Sequence, residues 1–167
     1  TSGYFKRSSI HWAYEYVTEI LEISLERIKV SVFEGNEEVP FDEISYKIWN
    51  EEIGIPKEKI MMGNRADNFW GPTGSEGPCG PTAEIYVDGV EIWNLVFNEY
   101  YQDKDKKLTK LPNPGVDTGM GFERLVAVLA GVDDVFETDV FQPLVSKIRE
   151  LAANLDIPVV RVLADHL

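Results

Sequence analysis

The stretch "AEIYVDGVEIWNLVFNEYYQ", residues 83–102, predicts a β-hairpin. Two runs rich in β-branched and aromatic residues flank Asp88-Gly89, and an Asp-Gly pair between two such runs is a strong signal for a tight turn. Successive residues of a strand point to opposite faces. On the second strand this alternation separates a mixed face from an apolar one, namely Ile92, Asn94, Val96 and Asn98 against Trp93, Leu95 and Phe97. The apolar face is predicted to be the core side.

Signals on both sides of the hairpin predict further helices and strands. Caps, hydrophobic periodicity and Gly or Pro stops define the helices, and alternation defines the strands. The predicted elements are a helix capped by Ser8 or Ser9 with Ile10, Ala13, Tyr14, Val17 and Leu21 on its apolar side; a strand through Ile28, Val30 and Val32; a helix from Asp42 through Trp49, ending at Gly54; strands over residues 59–62 and 108–112; a helix from near Gly119 to Gly131; and a helix capped by Asp139 and running through Leu151. The last segment, "IPVVRVL", fits either a strand or a helix. Consecutive strands joined by tight turns predict an α+β fold, an antiparallel sheet flanked by helices.

Residues 71–81 are predicted to form a stiff loop. Seven of these eleven residues are Gly or Pro, a composition that disfavours both a helix and a central strand. Trp70 stands at the entry to this loop. Two interpretations of its indole fit the sequence, a core anchor and a platform for a ligand.

The composition limits the possible classes of function. The chain has 167 residues, 44% of them hydrophobic, and is long enough to bury a core. A formal net charge of -13 argues against a broad basic surface for nucleic acid. Cys79 is the single cysteine, so an internal disulfide is excluded, a reducing compartment is favoured and a zinc site is not expected. No apolar run reaches membrane-spanning length, so no membrane contact is expected.

One long stretch is acidic throughout. Residues 66–103 contain no Lys or Arg but seven acids, which are Asp67, Glu76, Glu84, Asp88, Glu91, Glu99 and Asp103. The excess fits a solvated acidic face. It also fits a site for a cation, either a substrate ammonium or Mg²⁺.

The segment "NPGVDTGMGFERL", residues 113–125, combines groups suited to a ligand with both signs of charge. A helix that starts at Gly119 to Gly121 would present unpaired amides to a phosphate, and Arg124 in its first turn could hold phosphate oxygens. Asp117, just before that turn, would hold an ammonium. The alternative is that Asp117 is only a turn or cap residue and Arg124 pairs with a nearby acid.

The mixed face of the second hairpin strand has two interpretations. Asn is disfavoured in the middle of a strand. Either the face is solvated, or it forms the floor of a small pocket in which Asn94 is the polar group and Val96 limits the size.

Three motifs together resemble alanyl-tRNA synthetases. These are "DNFWGPTGSEGPCGPTAEIYVD" (67–88), "EIWNLVFNEYY" (91–101) and "PNPGVDTGMGFERL" (112–125), in which "GMGFER" resembles the third signature motif of class II synthetases. "SGYFK" (2–6) resembles the stretch after the second motif, and "RVLADHL" (161–167) resembles the junction to the helical tRNA-binding region. The resemblance implies a partial class II catalytic domain over residues 1–155 and the start of the tRNA-binding region over residues 156–167.

The resemblance also implies an activity and its residues. Alanine and ATP would react to alanyl-adenylate, and alanine would then pass to tRNA(Ala), bound mainly outside this chain; the enzyme would be cytoplasmic. Mg²⁺ would bridge the phosphates, with Glu84 as a candidate ligand. The implied roles are an ammonium site at Asp117; an alanine pocket of Trp70, Asn94 and Val96; and ATP contacts at Val96, Gly119 and Arg124.

The sequence departs from the family pattern in two places. Its "WGPTGSEGP" replaces "WxMGDTGP", and Thr82 and Ala83 stand where the family often has a second cysteine. The second motif, which supplies the α-phosphate arginine, is absent from these 167 residues, so the isolated chain is expected to be inactive. Two other hypotheses fit, a stand-alone module that retains only alanine or nucleotide binding and a structural or interaction domain.

Overall fold

The computed structural model describes residues 3–166, so Ser2 of "SGYFK" and Leu167 of "RVLADHL" lie outside the described residues. The chain divides into two compact units, Thr1–Met120 and Gly121–Leu167. No helix within residues 3–166 is long and apolar enough to cross a membrane.

The first unit is a six-stranded sheet with two helices. Its elements are α1 (Lys6–Glu15), β1 (Ile28–Phe33), α2 (Glu43–Lys47), β2 (Ile60–Gly63), β3 (Phe69–Trp70), β4 (Gly77–Val87), β5 (Val90–Gln102) and β6 (Leu108–Met120). The strand order is β2-β1-β4-β5-β6, with β3 paired to β4. The pair β1–β2 is parallel and the other pairs are antiparallel. The predicted antiparallel sheet with helices is therefore confirmed, with one parallel pair added at its edge.

The turn chemistry read from the sequence is confirmed at two places. Asp88 and Gly89 both have positive φ, 52° and 85°, as the two-residue turn between β4 and β5 requires. The Asp42 side chain accepts the Ser45 amide at the start of α2, whose π-helical continuation Ile48–Ile53 ends at Gly54 with φ 89°. These features depend on neighbours in the sequence, so local chemistry predicts them.

The predicted cap of the first helix is wrong. Helix α1 begins at Lys6, with Phe5 before it, and neither Ser8 nor Ser9 is a cap. The Ser9 amide and hydroxyl both donate to the Phe5 carbonyl, at 3.0 and 3.1 Å, so Ser9 lies inside the first turn. The predicted apolar side of the helix is confirmed at Ile10, Ala13 and Val17, which are buried, whereas Tyr14 and Leu21 are only half-buried.

The predicted loop over residues 71–81 is too long. Strand β4 already begins at Gly77 and pairs with β5 and β3. Its prolines are accommodated because the register with β5 shifts between Cys79 and Thr82, where the hydrogen-bond ladder is irregular. Gly80 fits because it has no side chain, since a Cβ there would lie 1.8 Å from the Phe97 carbonyl oxygen.

The predicted strand over residues 108–112 is too short, and the helix after it starts later than expected. Strand β6 runs to Met120, and its pairing with β5 is irregular between Asn98 and Tyr100, which accommodates the prolines of "LPNP". Asp117 and Gly119 are therefore strand residues, and Gly121 is the residue before the helix.

Both faces of β5 are buried in part, which corrects the prediction of one core face. Ile92 and Val96 are buried on one side and Leu95 and Phe97 on the other, whereas Trp93 is only half-buried. The Phe97 side is covered by the α1 region, where the Phe5 and Phe97 rings are 5.7 Å apart.

The second unit contains three helices, α3 (Phe122–Ala130), α4 (Gln142–Leu151) and α5 (Ile157–His166). Asp139 is not a cap: α4 begins at Gln142, whose amide donates to the Thr138 carbonyl, and proline lies in its first turn. Of the two alternatives for "IPVVRVL", the structure has the helix. Val145, Ile148, Val160 and Ala164 pack α4 against α5.

Candidate functional site

The predicted pocket residues of the hairpin and of β6 lie on one face of the sheet. Side chains at directly paired positions of antiparallel strands share a face. The pairs that cross β4, β5 and β6 here are Glu84–Asn94–Gly119 and Thr82–Val96–Asp117. The sheet therefore brings an amide, a valine and two carboxylates together from three strands.

Val96 and Asp117 differ strongly in exposure. The Val96 side chain is buried, with 5% of its surface accessible. Asp117 is exposed because β6 is the edge strand, and its Oδ1 accepts the Thr118 amide at 2.8 Å. A buried valine thus adjoins an accessible carboxylate, an arrangement that suits a ligand with a methyl group beside an ammonium.

Glu84 is the centre of a buried hydrogen-bond network. Its side chain is 4% exposed. Ser31 and Tyr86 hydroxyls donate to its Oε2 at 2.9 and 2.6 Å, and Asn94 Nδ2 donates to its Oε1 at 3.3 Å. Asn68 Nδ2 in turn donates to Ser31 Oγ at 2.7 Å. Four polar side chains therefore converge on one carboxylate, directly or through Ser31.

Burial raises the pKa of Glu84, and the hydrogen bonds from Tyr86 and Ser31 oppose that shift. Burial also raises the pKa of Tyr86, and its hydrogen bond to Glu84 adds to the effect. Tyr86 is therefore a neutral donor to Glu84 at neutral pH.

Asn94 has an acceptor without a partner. Its Oδ1 is buried and makes no hydrogen bond within residues 3–166. Buried polar atoms are paired in the great majority of cases, so such an exception points to a missing partner.

The other two predicted site residues, Trp70 and Arg124, lie on β3 and α3. Trp70 is half-buried on β3 and pairs with Gly80 of β4, so one strand separates it from β5. Arg124 belongs to the second unit, where it is exposed in the first turn of α3, as predicted. Its Cδ lies 3.2 Å from where a Cβ on Gly121 would be, so its stem runs over the glycine backbone.

Sequence reasoning missed the supporting residues Ser31, Asn68 and Tyr86. A signal for Ser31 exists, because it is the polar residue that alternates with Val30 and Val32. A second buried group was also missed: Lys6 forms ion pairs with Asp42, at 2.7 Å, and with Glu99. Nothing local marks Lys6, because its partners are distant in sequence.

The residues that could hold Mg²⁺ do not form a complete ligand set. No group of three or more His, Cys, Asp or Glu suited to a metal occurs in the part of the chain that the structure describes. Both oxygens of Glu84 already accept hydrogen bonds. The role of Glu84 as a magnesium ligand stays a prediction.

Comparison with known proteins places the chain in a family. It matches the family described as tRNA synthetases class II (A) over residues 2–91 and 88–167. The chain belongs to this family. It is similar to the alanine–tRNA ligase of Thermotoga petrophila. The two sequences are 42% identical over an alignment 192 positions long, which covers 98% of the chain and 21% of the relative.

Two other alanine–tRNA ligases are similar to this class II (A) chain to a comparable degree. The alanine–tRNA ligase of Rubrobacter xylanophilus is 38% identical, covering 98% of the chain and 22% of the relative. The alanine–tRNA ligase of Borreliella afzelii is 39% identical, and the alignment covers 99% of the chain and 32% of the relative. The chain thus spans between about a fifth and a third of the length of these curated relatives. The resemblance drawn from the three motifs is confirmed.

Proposed function

We propose that this chain forms part of the alanine-activating site of an alanine–tRNA ligase that forms alanyl-adenylate and AMP. The observation that carries the proposal is the pairing of Val96 with Asp117 on the face that also holds Asn94. The relatives from Thermotoga petrophila, Rubrobacter xylanophilus and Borreliella afzelii support it, because all three are alanine–tRNA ligases. In this proposal residues 1–155 belong to the catalytic domain and residues 156–167 begin a tRNA-binding region.

Asp117 and Val96 would select the amino acid. The exposed Asp117 carboxylate would hold the ammonium of alanine, and the buried Val96 side chain would contact its methyl group. Trp70 would form a further wall of the pocket. Fixing the ammonium and the methyl group orients the carboxylate of alanine toward the nucleotide, which lowers the entropic part of the barrier.

The chemistry needs no protein nucleophile. An oxygen of the alanine carboxylate attacks the α-phosphorus of ATP; a new O–P bond forms, the bond to the β-phosphate oxygen breaks, and pyrophosphate leaves. A terminal ribose hydroxyl of tRNA(Ala) then attacks the alanyl carbonyl, and AMP leaves. Mg²⁺, when bound, would neutralise phosphate charge. The protein contributes positioning and charge stabilisation.

The resemblance to alanyl-tRNA synthetases implies nucleotide contacts at Val96, Gly119 and Arg124. At Gly119 an added Cβ would have no described atom within 4 Å, so a ligand can approach this backbone closely. Arg124 would hold phosphate oxygens, for which a guanidinium is well suited. We also propose that the enzyme is cytoplasmic.

Titration calorimetry with a non-hydrolysable alanyl-adenylate analogue tests the proposal on the 167-residue chain. Asp117→Asn keeps the shape of the side chain but removes its charge. We expect about 10- to 100-fold weaker binding, since a hydrogen bond to a charged group contributes about 1.5–3 kcal/mol. Asp105→Asn, an exposed acid in the β5–β6 turn, is the matched control and should bind like the wild type.

Unchanged affinity of Asp117→Asn would remove the ammonium site and favour the structural or interaction hypothesis. Alanine-dependent exchange of pyrophosphate into ATP tests catalysis separately. Because the second motif is absent from these residues, we expect binding with little exchange from this chain alone. Robust exchange would contradict that expectation. A longer parent protein that binds the analogue but shows no exchange would favour the binding-module hypothesis.

A further inference from the structure

We infer that Glu84 is a positioning residue that fixes the Asn94 amide so that Oδ1 accepts a hydrogen bond from the substrate ammonium. The inference rests on the proposed function and adds a second acceptor beside Asp117. It also gives Glu84 a role that follows from its contacts within the protein.

The direction of the hydrogen bond between Asn94 and Glu84 determines how the Asn94 amide is oriented. A carboxylate oxygen only accepts, so the side chain of Asn94 must turn its Nδ2 toward Glu84 Oε1, as it does at 3.3 Å. The amide is planar, so Oδ1 then points away from Glu84. That atom is buried and has no partner within residues 3–166.

The network around Glu84 keeps its carboxylate in the accepting role. Asn68 Nδ2 donates to Ser31 Oγ at 2.7 Å, and the Ser31 hydroxyl therefore donates onward to Glu84 at 2.9 Å. Tyr86 donates to the same carboxylate oxygen at 2.6 Å. Ser31 and Asn68 are almost fully buried, so solvent does not compete for these two donors. The hydroxyls of Ser31 and Tyr86 therefore both donate to Glu84, while Asn68 donates to Ser31 and to Thr82.

The register places Asn94 within reach of the same ligand as Asp117. Asn94 pairs with Gly119 and Asp117 pairs with Val96, so Asn94 and Asp117 are diagonal neighbours on one face of β5 and β6. Diagonal positions are about 7–8 Å apart, which lets two side chains hold one small group between them. An ammonium has three donors, and Asp117 with Asn94 Oδ1 supplies two acceptors.

Replacing Glu84 by Gln tests the inference, because it keeps the shape but adds a donor. The hydroxyls of Ser31 and Tyr86 would keep the Gln oxygen, so its amino group would face Asn94. Asn94 would then flip and present Nδ2 to the ammonium. For Glu84→Gln we expect roughly tenfold or greater loss of affinity for the alanyl-adenylate analogue. Affinity for the same analogue without its amino group should be unchanged.

Glu76→Gln is the matched control, since Glu76 is exposed just before the same strand, and it should bind both analogues like the wild type. A double-mutant cycle separates positioning from a general structural effect. In an Asn94→Ala background, Glu84→Gln should cause no further loss, because Glu84 acts through Asn94. Thermal unfolding checks that each variant folds. If Glu84→Gln does not fold, Ser31→Ala should give a smaller loss confined to the amino-bearing analogue.

The outcomes separate this inference from the proposed function. Weaker binding of Asp117→Asn together with unchanged binding of Glu84→Gln overturns the inference alone. Equal losses for the two analogues, or additive losses in the cycle, also overturn it. No binding by the wild type, or no effect of Asp117→Asn, overturns the proposed function and the inference with it.

Discussion

Val96 and Asp117 are paired residues of β5 and β6, so a buried isopropyl group and an exposed carboxylate lie side by side on one face of the sheet. Alanine carries its methyl and ammonium groups on one carbon. The spacing of the two side chains is set by the sheet rather than by a mobile loop, and rigid placement favours discrimination by size.

Val96→Ala should enlarge the pocket. We expect the preference for the alanyl-adenylate analogue over one with an extra methylene to fall, because one methylene in an apolar pocket is worth about 1–3 kcal/mol. The cavity should also cost about 1–3 kcal/mol of stability. Calorimetry with both analogues and urea unfolding measure the two effects. Val90→Ala, at the exposed start of the same strand, should change neither quantity; an unchanged preference in Val96→Ala would show that Val96 does not line the pocket.

Gly80→Ala should destabilise the first unit. A Cβ at this position would lie 1.8 Å from the Phe97 carbonyl oxygen, and backbone on both sides leaves little room to adjust. We expect a loss of about 2–4 kcal/mol in the free energy of unfolding, measured in urea. At Gly115 an added Cβ meets no described atom within 4 Å, so Gly115→Ala should stay within about 0.5 kcal/mol of the wild type. Equal stabilities would mean that β4 and β5 are not this close.

Lys6→Met should destabilise the protein much more than the substitution of an exposed lysine does. Lys6 is buried between Asp42 and Glu99, and removing its charge leaves the buried Asp42 carboxylate and the half-buried Glu99 carboxylate uncompensated. We expect a loss of about 3–5 kcal/mol in urea unfolding. Lys47→Met breaks an exposed pair with Glu43 and should cost less than about 1 kcal/mol. A small effect at Lys6 would contradict the buried ion pair.

The stability of the wild type relative to Glu84→Gln should fall as pH rises. Burial raises the pKa of Glu84 in the folded state above its ordinary value, so the folded protein holds this proton more tightly than the unfolded chain. Glu84 therefore makes its full stabilising contribution below its pKa in the unfolded chain. That contribution is lost as the pH rises through the pKa of Glu84 in the folded protein.

Urea unfolding at several pH values from the ordinary carboxyl range to neutrality measures that difference. Glu76→Gln, at an exposed carboxyl just before β4, provides the comparison. A wild-type protein that gains stability over Glu84→Gln as pH rises would show that the hydrogen bonds from Tyr86 and Ser31 outweigh burial.

Local chemistry in the sequence determined the Asp88-Gly89 turn, the Asp42 cap and the Gly54 stop. The motifs around Trp70, Val96 and Asp117 determined the family. Each of these features depends on residues adjacent in the chain or on a recognisable string, so no knowledge of long-range pairing is needed.

The tertiary structure alone decided how far the strands run and what they bring together. Glycine and proline argued against a strand at Gly77, and the predicted strand over residues 108–112 stopped before Gly115, yet pairing with β5 extends both strands where the register is irregular. The same pairing sets Glu84, Asn94 and Asp117 on one face although β4, β5 and β6 are separate segments. Register is a non-local property, since a shift by one residue would turn these side chains to the opposite face.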